Sequence, residues 1–293
     1  MEEKYSGILR VYDRKNGGAG TARNFGLDKS SGEYIKFLDA DDTLPKGIIT
    51  KMYDAAKYND ASLVKGNYKK IIGPISFIDP GNFEGYSSGI VDVRDNKDVI
   101  VTEYPSIGNK LFSRKLIGDL RFPESTKWED LAIVPTLIAS SKEMVVMDDV
   151  VYNYRINLNT TIKDFIVSTS QLLDIIKCLK LVETTMADRN LLEEYKEQVE
   201  GIYILHLLFR VQNVMNWKNI SRSKKKMIIG SLLAILDSKY PNWESNRFVN
   251  QYKEAKLLFK RDINRLNSFI DNYYRYDTTS DVAQCSIEYL LRR

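Results

Sequence analysis

Histidine and cysteine are scarce in this sequence, which contains one histidine, His206, and two cysteines, Cys178 and Cys285, among 293 residues. The cysteines lie far apart and neither belongs to a Cys-x-x-Cys pair. This spacing argues against a disulfide framework or a thiolate zinc site and indicates a reducing compartment. A single histidine excludes multi-histidine metal sites and the usual Ser-His-Asp triad. Any catalytic site is therefore expected to use carboxylates and hard metal ions.

Long apolar runs and a strong excess of one charge are also missing. The longest apolar stretch, 201–209, is interrupted by His206 and is too short to cross a bilayer. Residues 1–7 lack the apolar segment of a secretory signal. The net charge of +4 is too small to indicate nucleic-acid binding. We therefore expect a cytoplasmic protein that binds no nucleic acid and is either soluble or peripheral on the inner face of the membrane.

The patterns that are present divide the chain into two parts. Residues 1–163 contain short apolar runs separated by Gly, Pro, Asn and Asp, which is typical of an α/β domain. Strands are predicted at 34–38, 62–68, 145–147 and 151–155, and Pro45 opens a helix. Residues 164–293 contain one proline and long helical periodicity, with helices predicted over 165–188, 191–217, 222–239, 245–274 and 280–291. We predict a domain boundary near residue 164.

An acidic cluster, Asp39-Ala40-Asp41-Asp42, directly follows the predicted strand 34–38. Carboxylates at the carboxyl end of a strand face the crevice in which open α/β sheets bind ligands. Asp39 and Asp41, one residue apart, suit Mg²⁺ or Mn²⁺ and leave positions open for a diphosphate. The same acids also suit the start of the helix that Pro45 opens, and by itself the cluster favours this capping interpretation. Asp42 would either assist the metal pair or cap the helix.

Further motifs accompany this cluster in a fixed order. Asn16-Gly17-Gly18-Ala19-Gly20-Thr21-Ala22-Arg23-Asn24 precedes Gly32-Glu33-Tyr34-Ile35 and the acidic cluster, and then come Asn109-Lys110-Leu111-Phe112, Trp128-Glu129-Asp130-Leu131 and Tyr152-Asn153-Tyr154-Arg155. This order resembles the pattern of family 2 glycosyltransferases over residues 16–162. The resemblance implies an α/β fold of GT-A type, a Rossmann-like mixed sheet with helices, followed here by an α-helical carboxyl-terminal domain.

For the donor, the resemblance implies a nucleotide-sugar site with a Mg²⁺ or Mn²⁺ cofactor. Asp41 would bind the metal, with Asp39 nearer the ribose or phosphate. Gly17 and Gly18 would allow a close backbone turn beside the nucleotide. Arg23 would lie near the diphosphate, and an ion pair with Asp39 or Asp41 that braces the acidic loop is an equally good interpretation.

For the acceptor, the resemblance implies that Asp130 is the general base of an inverting transfer, with Glu129 orienting it or contacting the acceptor. Alternatively, Glu129 and Asp130 cap the apolar helix that begins at Leu131. Trp128 would stack on a sugar ring or belong to the core. Lys110 would contact an acceptor-side phosphate or lie on the surface.

Family 2 enzymes normally begin with a strand-helix-strand unit that holds the base, whereas only residues 1–15 precede Asn16 here, with Ile8–Tyr12 as the one strand candidate. We therefore expect a GT-A domain that is incomplete at its amino end. The chain would transfer a sugar from a nucleotide-sugar donor to a glycan or lipid-linked acceptor in cell-surface polysaccharide synthesis. Alternatively, it would be a non-catalytic relative or one half of a split transferase that pairs with a complementing chain or forms a homo-oligomer.

The helical part contains two further features. His206 lies within an apolar helix face and is predicted to be a packed core residue rather than a ligand. A basic run, Lys218 with Arg222 and 224–226, would either contact an anionic membrane that holds a lipid-linked acceptor or form a solvated helix start.

Overall fold

The computed structural model of the chain describes residues 7–81, 88–156, 169–217 and 220–250, with the backbone alone at 169 and 170. The strands are β1 (Tyr34–Lys36), β2 (Leu63–Ile72), β3 (Ile75–Asp79), β4 (Gly89–Asp92), β5 (Lys110–Ser113) and β6 (Glu143–Arg155). The helices are α1 (Gly18–Lys29), α2 (Ile48–Tyr58), α3 (Val99–Thr102), α4 (Arg114–Ile117), α5 (Val134–Ser141), α6 (Thr169–Asp188), α7 (Lys196–Asn216) and α8 (Arg222–Lys239).

The strands form one mixed sheet in the order β1-β5-β2-β6-β4, with β3 added to β2 as a hairpin. β5 is antiparallel to both β1 and β2, and β6 is parallel to β2. β1, β2 and β6 therefore run in the same direction. As a consequence, the carboxyl ends of β1 and β6 and the amino end of β5 meet at one edge of the sheet, where ligands of open α/β sheets bind.

Alternation along the strands separates two hydrophobic cores. Leu63, Phe112 and Val146 face a large core shared with the helices of both halves of the chain. Their sequence neighbours Val64, Leu111 and Val145 face the opposite side, where α2 packs with Ile48, Met52 and Ala56. Because successive side chains of a strand point to opposite faces, one short strand contributes to both cores.

The helices of the carboxyl-terminal part extend the larger core. Its buried members run from Leu27 in α1 through Leu137 in α5 to Leu179, Leu208 and Leu232 in α6, α7 and α8. α8 begins at Ser221, whose hydroxyl accepts a hydrogen bond from the backbone N–H of Lys224 at 3.3 Å. Of the basic residues that follow Ser221, Arg222, Lys224 and Lys226 are exposed, whereas Lys225 is half-buried and donates to the carbonyl oxygen of Met215 at 2.8 Å. Contact of this helix start with a membrane stays a prediction. Lys218 lies outside the described residues.

Several sequence predictions are corrected by these elements. Ile8–Tyr12 is not a strand. The helix predicted from Pro45 begins at Ile48, after Gly47 with φ +74°. The runs 145–147 and 151–155 belong to one strand, β6, whose pairing with β2 shifts in register between them. The helix predicted at 222–239 is confirmed with the same bounds, and the helix predicted at 191–217 is confirmed with shorter bounds. The helix predicted at 165–188 is confirmed from Thr169 onward, and residues 165–168 lie outside the described residues. The domain boundary near 164 and the helices beyond residue 250 lie outside the described residues.

No helix in the described ranges combines the length and the apolar character needed to cross a membrane.

Candidate active site

The acidic turn lies at the ligand-binding edge of the sheet, directly after β1. Its Asp39 N–H donates a hydrogen bond to the Tyr152 hydroxyl at 3.1 Å, and the Asp42 N–H closes the turn on the Asp39 carbonyl at 3.1 Å. Asp39 and Asp41 are exposed, whereas Asp42 is buried. The backbone therefore presents the first two carboxylates to solvent at the place where the sheet binds ligands.

Asp42 is buried and does not cap helix α2, whereas its predicted role of assisting the metal pair stays a prediction. Its carboxylate accepts a hydrogen bond from the backbone N–H of Arg155 at 2.8 Å and so joins the turn to the end of β6. Burial raises its pKa, and that hydrogen bond opposes the rise. Helix α2 is capped by Gly47 without a side-chain hydrogen bond. The capping interpretation of the acidic cluster is therefore wrong.

Arg23, from the first turns of α1, joins the acidic turn to the second acidic pair. Its guanidinium contacts Asp39 at 3.0 Å, Asp130 at 2.8 Å and also Glu129. The Arg23 side chain is 12% exposed and that of Asp39 is 50% exposed, so the cluster extends from a buried base to an open rim. Three carboxylates around one guanidinium leave an excess of negative charge. The predicted ion pair between Arg23 and Asp39 is confirmed.

Asp130 and Glu129 lie in the turns before α5 and do not cap that helix. Its N-cap is Ile133, which makes no side-chain cap, so this alternative is also wrong. Burial raises the pKa of Asp130 to about 7. Arg23 and the backbone N–H of Ile107, which donates to Asp130 at 3.3 Å, oppose this rise, while Glu129 adds to it. Asp130 therefore titrates near neutral pH, as a general base requires.

The glycines of the predicted donor turn lie at the start of α1. Gly17 is its N-cap and Gly18 has φ +85°, a conformation that favours glycine. Gly20 has a packing role, because a Cβ there would collide with the carbonyl oxygen of Pro123. These small residues keep α1 close to the loop before Trp128, and this places Arg23 within reach of Asp130.

Lys110 is completely buried, unlike either sequence interpretation of it. Its ammonium pairs with Glu103 at 2.9 Å and donates to the carbonyl oxygens of Tyr104 at 3.2 Å and Ser106 at 2.9 Å. Burial lowers its pKa, and Glu103 opposes this. The surface position is therefore wrong, and an acceptor-side contact has no support in a side chain with no exposed area. Lys110 instead holds the loop whose Ile107 binds Asp130.

The site fits a divalent cation bound jointly with a diphosphate. Among the described residues, no group of three or more Asp, Glu, His or Cys side chains could hold a metal by itself. Magnesium bound with nucleotide substrates needs one or two carboxylates, since phosphate oxygens and water supply the rest. Asp41 meets this need because its exposed carboxylate makes no hydrogen bond or ion pair with the described part of the chain. Asp39 is its neighbour on the same turn.

A cavity of about 500 Å³ adjoins the acidic pair. One wall comes from the turn that carries Trp128, Glu129 and Asp130, and the other comes from α7 with His206 and Arg210. The Arg210 guanidinium lies 4.2 Å from the centre of the Trp128 ring. Trp128 is thus both packed against the core and part of the cavity wall. His206, predicted from the sequence to be a packed core residue rather than a ligand, is half-buried and lies in the cavity wall.

The polar residues that α7 contributes to the cavity form a pattern in the sequence, but they belong to none of the motifs on which the predicted site was based. His206, Arg210 and Asn213 follow the spacing i, i+4, i+7, which places them on one face of a helix. That face would otherwise be apolar, because the neighbours of these residues on α7 are largely buried. A polar stripe of this kind indicates a helix face that contacts solvent, a cavity or a ligand rather than the hydrophobic core.

Comparisons with known proteins show similarity to glycosyltransferases. Residues 1–121 match the family described as glycosyl transferase family 2. Among characterised relatives, the glycosyltransferase GlyG of Streptococcus pneumoniae is 26% identical, over 50% of this chain and 52% of its own length. The poly(ribitol-phosphate) β-N-acetylglucosaminyltransferase TarP of Staphylococcus aureus is 27% identical, over 76% of this chain and 68% of its own length.

Solved structures of the same kind share the fold. The S. aureus TarS fragment 1–349 matches with a TM-score of 0.63 and 17% identity, over 95% of this chain and 78% of that one. The same fragment in complex with UDP matches with a TM-score of 0.61 and 15% identity, over 90% of this chain and 73% of that one. The predicted GT-A-type sheet with a helical carboxyl-terminal part is confirmed.

The family match covers the first 121 of the 293 residues, and the relatives named above are glycosyltransferases. The chain spans about half the length of GlyG, and it covers 17% of the teichoic acid biosynthesis protein GgaB of Bacillus subtilis.

Proposed function

We propose that this chain is a family 2 glycosyltransferase that transfers a sugar from a nucleotide-sugar donor to a hydroxyl of a glycan or lipid-linked acceptor in cell-surface polysaccharide synthesis. The names of the relatives support this pathway, because TarP is named for poly(ribitol-phosphate) and GgaB for teichoic acid. A UDP-sugar is the proposed donor class, since the TarS fragment of the same fold was solved with UDP.

The observation that carries the proposal is the cluster around Arg23. One guanidinium contacts Asp39 of the donor-side turn and Glu129 and Asp130 of the acceptor-side turn. Residues more than 100 positions apart in sequence are thereby held within one ion-pair network. A transferase needs this proximity, because the departing diphosphate and the attacking hydroxyl must meet on opposite sides of one anomeric carbon.

In the proposed reaction, Asp130 acts as the general base. Its carboxylate takes the proton of the acceptor hydroxyl while that oxygen forms a bond to the anomeric carbon of the donor sugar. The bond between this carbon and the diphosphate oxygen breaks, and its electron pair leaves with the nucleoside diphosphate. Attack opposite the leaving group inverts the configuration at the anomeric carbon. Glu129 and Arg23 hold Asp130 in place, and Trp128 contributes an aromatic surface on the acceptor side.

We assign the donor side to the acidic turn and to the start of α1. Asp41, with Asp39, would hold Mg²⁺ or Mn²⁺, and Gly17 and Gly18 would allow the backbone to approach the nucleotide. When bound, the cation supplies charge neutralisation for the leaving diphosphate. Asp39 meanwhile keeps Arg23 oriented toward Asp130 at the other end of the network.

The test is binding of UDP to the full chain with and without MnCl₂, measured by isothermal titration calorimetry. We expect binding that requires Mn²⁺ and that weakens at least tenfold in Asp41→Ala, because the diphosphate loses its metal-mediated contact. Asp54→Ala removes an exposed carboxylate from α2 and serves as the matched control, with unchanged binding.

Absence of UDP binding by the intact chain would contradict the proposal. It would favour the second candidate function, an interaction protein completed by another chain. One observation favours that candidate: no described strand pairs with the outer edge of β1, the strand that leads into the acidic turn. Size-exclusion chromatography with light scattering would then show whether the chain forms an oligomer.

A further inference from the structure

Helix α7 carries a polar stripe on the face that meets the acidic pair across the cavity. The stripe consists of His206, Arg210 and Asn213, and all three line the same cavity as Glu129 and Asp130. Between them, Leu207, Leu208 and Val211 are buried in the hydrophobic core. The helix thus packs its apolar side against the hydrophobic core and presents polar side chains to the cavity.

Two members of this stripe have unused hydrogen-bonding capacity. The side chains of His206 and Asn213 make no hydrogen bond or ion pair with any described residue. Both side chains are half-buried, so neither is fully hydrated. An imidazole offers one donor and one acceptor, and a carboxamide offers two donors and an acceptor. Partly desolvated polar groups of this kind are costly unless something binds them, which points to a ligand in the cavity.

The cavity wall contributed by α7 carries no free negative charge and little accessible positive charge. Burial, together with the positive charge of Arg210, lowers the pKa of His206 to about 3, so its imidazole is neutral at physiological pH. Arg210 is 3% exposed, and its guanidinium lies against the Trp128 ring. On the opposite wall, the carboxylates of Glu129 and Asp130 are paired with Arg23. Neutral hydrogen-bonding groups therefore dominate what α7 offers.

Trp128 adds a further feature of a built site. Its backbone has φ +67°, a conformation that is costly for a residue other than glycine. Its indole N–H is buried and finds no acceptor among the described residues. The stacked Arg210 holds the ring at the cavity next to Asp130. Such a strained and incompletely satisfied aromatic side chain is more typical of a ligand site than of a simple core.

We propose that α7 forms the acceptor-binding wall of the active site, with His206 and Asn213 hydrogen-bonding the hydroxyls of a neutral sugar or polyol unit. Arg210 is a positioning residue that acts through Trp128. This inference rests on the proposed function, because it takes Asp130 as the group that receives the proton of the acceptor hydroxyl. It extends that function by assigning recognition of the acceptor to the helical part of the chain.

The test measures the binding of acceptor-type compounds in the absence of nucleotide and metal. The result therefore does not depend on whether the chain binds the donor. Chitotetraose, maltotetraose, ribitol and ribitol 5-phosphate are titrated against the full chain and followed by saturation-transfer NMR. We expect at least one neutral probe to bind. His206→Leu and Asn213→Leu should each weaken that binding about 3- to 10-fold, which corresponds to the loss of one hydrogen bond.

Three comparisons make the result specific. His206→Gln keeps a neutral hydrogen-bonding side chain and should retain most of the binding. Asn216→Ala, at the exposed end of the same helix and outside the cavity lining, should leave binding unchanged. Thermal unfolding confirms that each variant is folded.

Binding of ribitol 5-phosphate alone, lost in Arg210→Gln but retained in His206→Leu, would overturn the proposal in favour of recognition by charge. Failure of all four probes to bind the wild-type chain would also overturn it, as would Leu variants that bind like the wild type.

Discussion

Arg23 is the residue on which the arrangement of the site depends. It is largely buried and contacts three carboxylates, so its positive charge is more than balanced. Removing such a cation from a partly buried network leaves uncompensated negative charges close together, which is far more costly than breaking a surface pair. The excess negative charge also explains why a divalent cation on the adjacent Asp41 would be favourable when an anionic diphosphate arrives.

A second residue, Asp130, leads to a prediction about how the transfer rate depends on pH. A general base works only when ionised, and burial raises its pKa to about 7. The value of kcat/KM should therefore rise about tenfold per pH unit below pH 7 and level off above it. Asp130→Asn should lower kcat by about 10²- to 10⁴-fold and abolish this dependence. Transfer from UDP-sugars to a glycan acceptor, measured between pH 5 and 9, checks both outcomes.

Glu124→Gln is the matched control for Asp130→Asn. It removes an exposed carboxylate from the same loop, and we expect both kcat and the pH profile to stay unchanged. A wild-type profile without a step near pH 7, or full activity in Asp130→Asn, would exclude Asp130 as the base.

At the scale of elements, the loop between α3 and β5 depends on a buried charge cluster. Glu103 pairs with Lys65 at 2.7 Å and with Lys110 at 2.9 Å, and all three side chains are at most 1% exposed. The two ammonium groups also bind carbonyl oxygens of the chain on either side of Glu103. β2, β5 and the end of α3 are thereby joined beneath the backbone of Ile107, which hydrogen-bonds Asp130.

Glu103→Gln should destabilise the fold through this cluster. The variant removes the carboxylate that pairs with two buried ammonium groups, and loss of one partner of a buried ion pair costs about 3–5 kcal/mol. Urea denaturation followed by circular dichroism measures the change in the free energy of unfolding.

The control for Glu103→Gln is Glu33→Gln, which breaks the exposed pair of Glu33 with Lys57 and should leave the urea midpoint unchanged. Equal midpoints for both variants would show that the buried cluster does not stabilise the loop.

At the scale of the whole molecule, the two halves of the chain share one hydrophobic core. Its buried residues come from the sheet, from α5 and from α6 to α8. Arg189, just after α6, donates to the carbonyl oxygens of Leu116 at 2.9 Å and Ile117 at 2.8 Å. Arg247 likewise pairs with Asp98 across the two halves. The cavity beside Glu129 and Asp130 lies within this shared region, so the helical part forms one wall of the cavity as well as covering the sheet.

Residues 1–163 expressed alone should therefore not fold cooperatively, because truncation would expose the apolar residues that α6, α7 and α8 bury. The expected result is a broad thermal transition without the sharp unfolding of the full chain, accompanied by binding of an apolar dye. Differential scanning calorimetry on both proteins makes the comparison. A sharp transition in 1–163 would show instead that the predicted boundary near 164 separates autonomous domains.

The sequence by itself determined the local elements and the motifs whose spacing has physical meaning. The run Tyr34-Ile35-Lys36-Phe37-Leu38 is aromatic and apolar enough to predict a strand, and the acids that follow it predict a site at its end. The order of motifs from Asn16 to Arg155 predicted the fold class. The i, i+4, i+7 stripe of α7 was present as a pattern, although nothing in the sequence indicated what lay opposite to it.

The tertiary structure alone decided between alternatives that the same residues left open. Asp42 and Lys110 are buried, whereas Asp41 is exposed. All three side chains are charged, and the local sequence does not show this difference in burial. Those environments depend on where β6 ends and on which loop covers β5. Arg23 meets Asp130 only because α1 packs on the loop after Phe122. Histidine, scarce in the chain, was expected to have no place in the site, yet His206 lies across the cavity from Asp130. Whether a side chain is buried, and which side chains lie close to it, depends on segments far apart in sequence. Only their packing in the folded chain determines both.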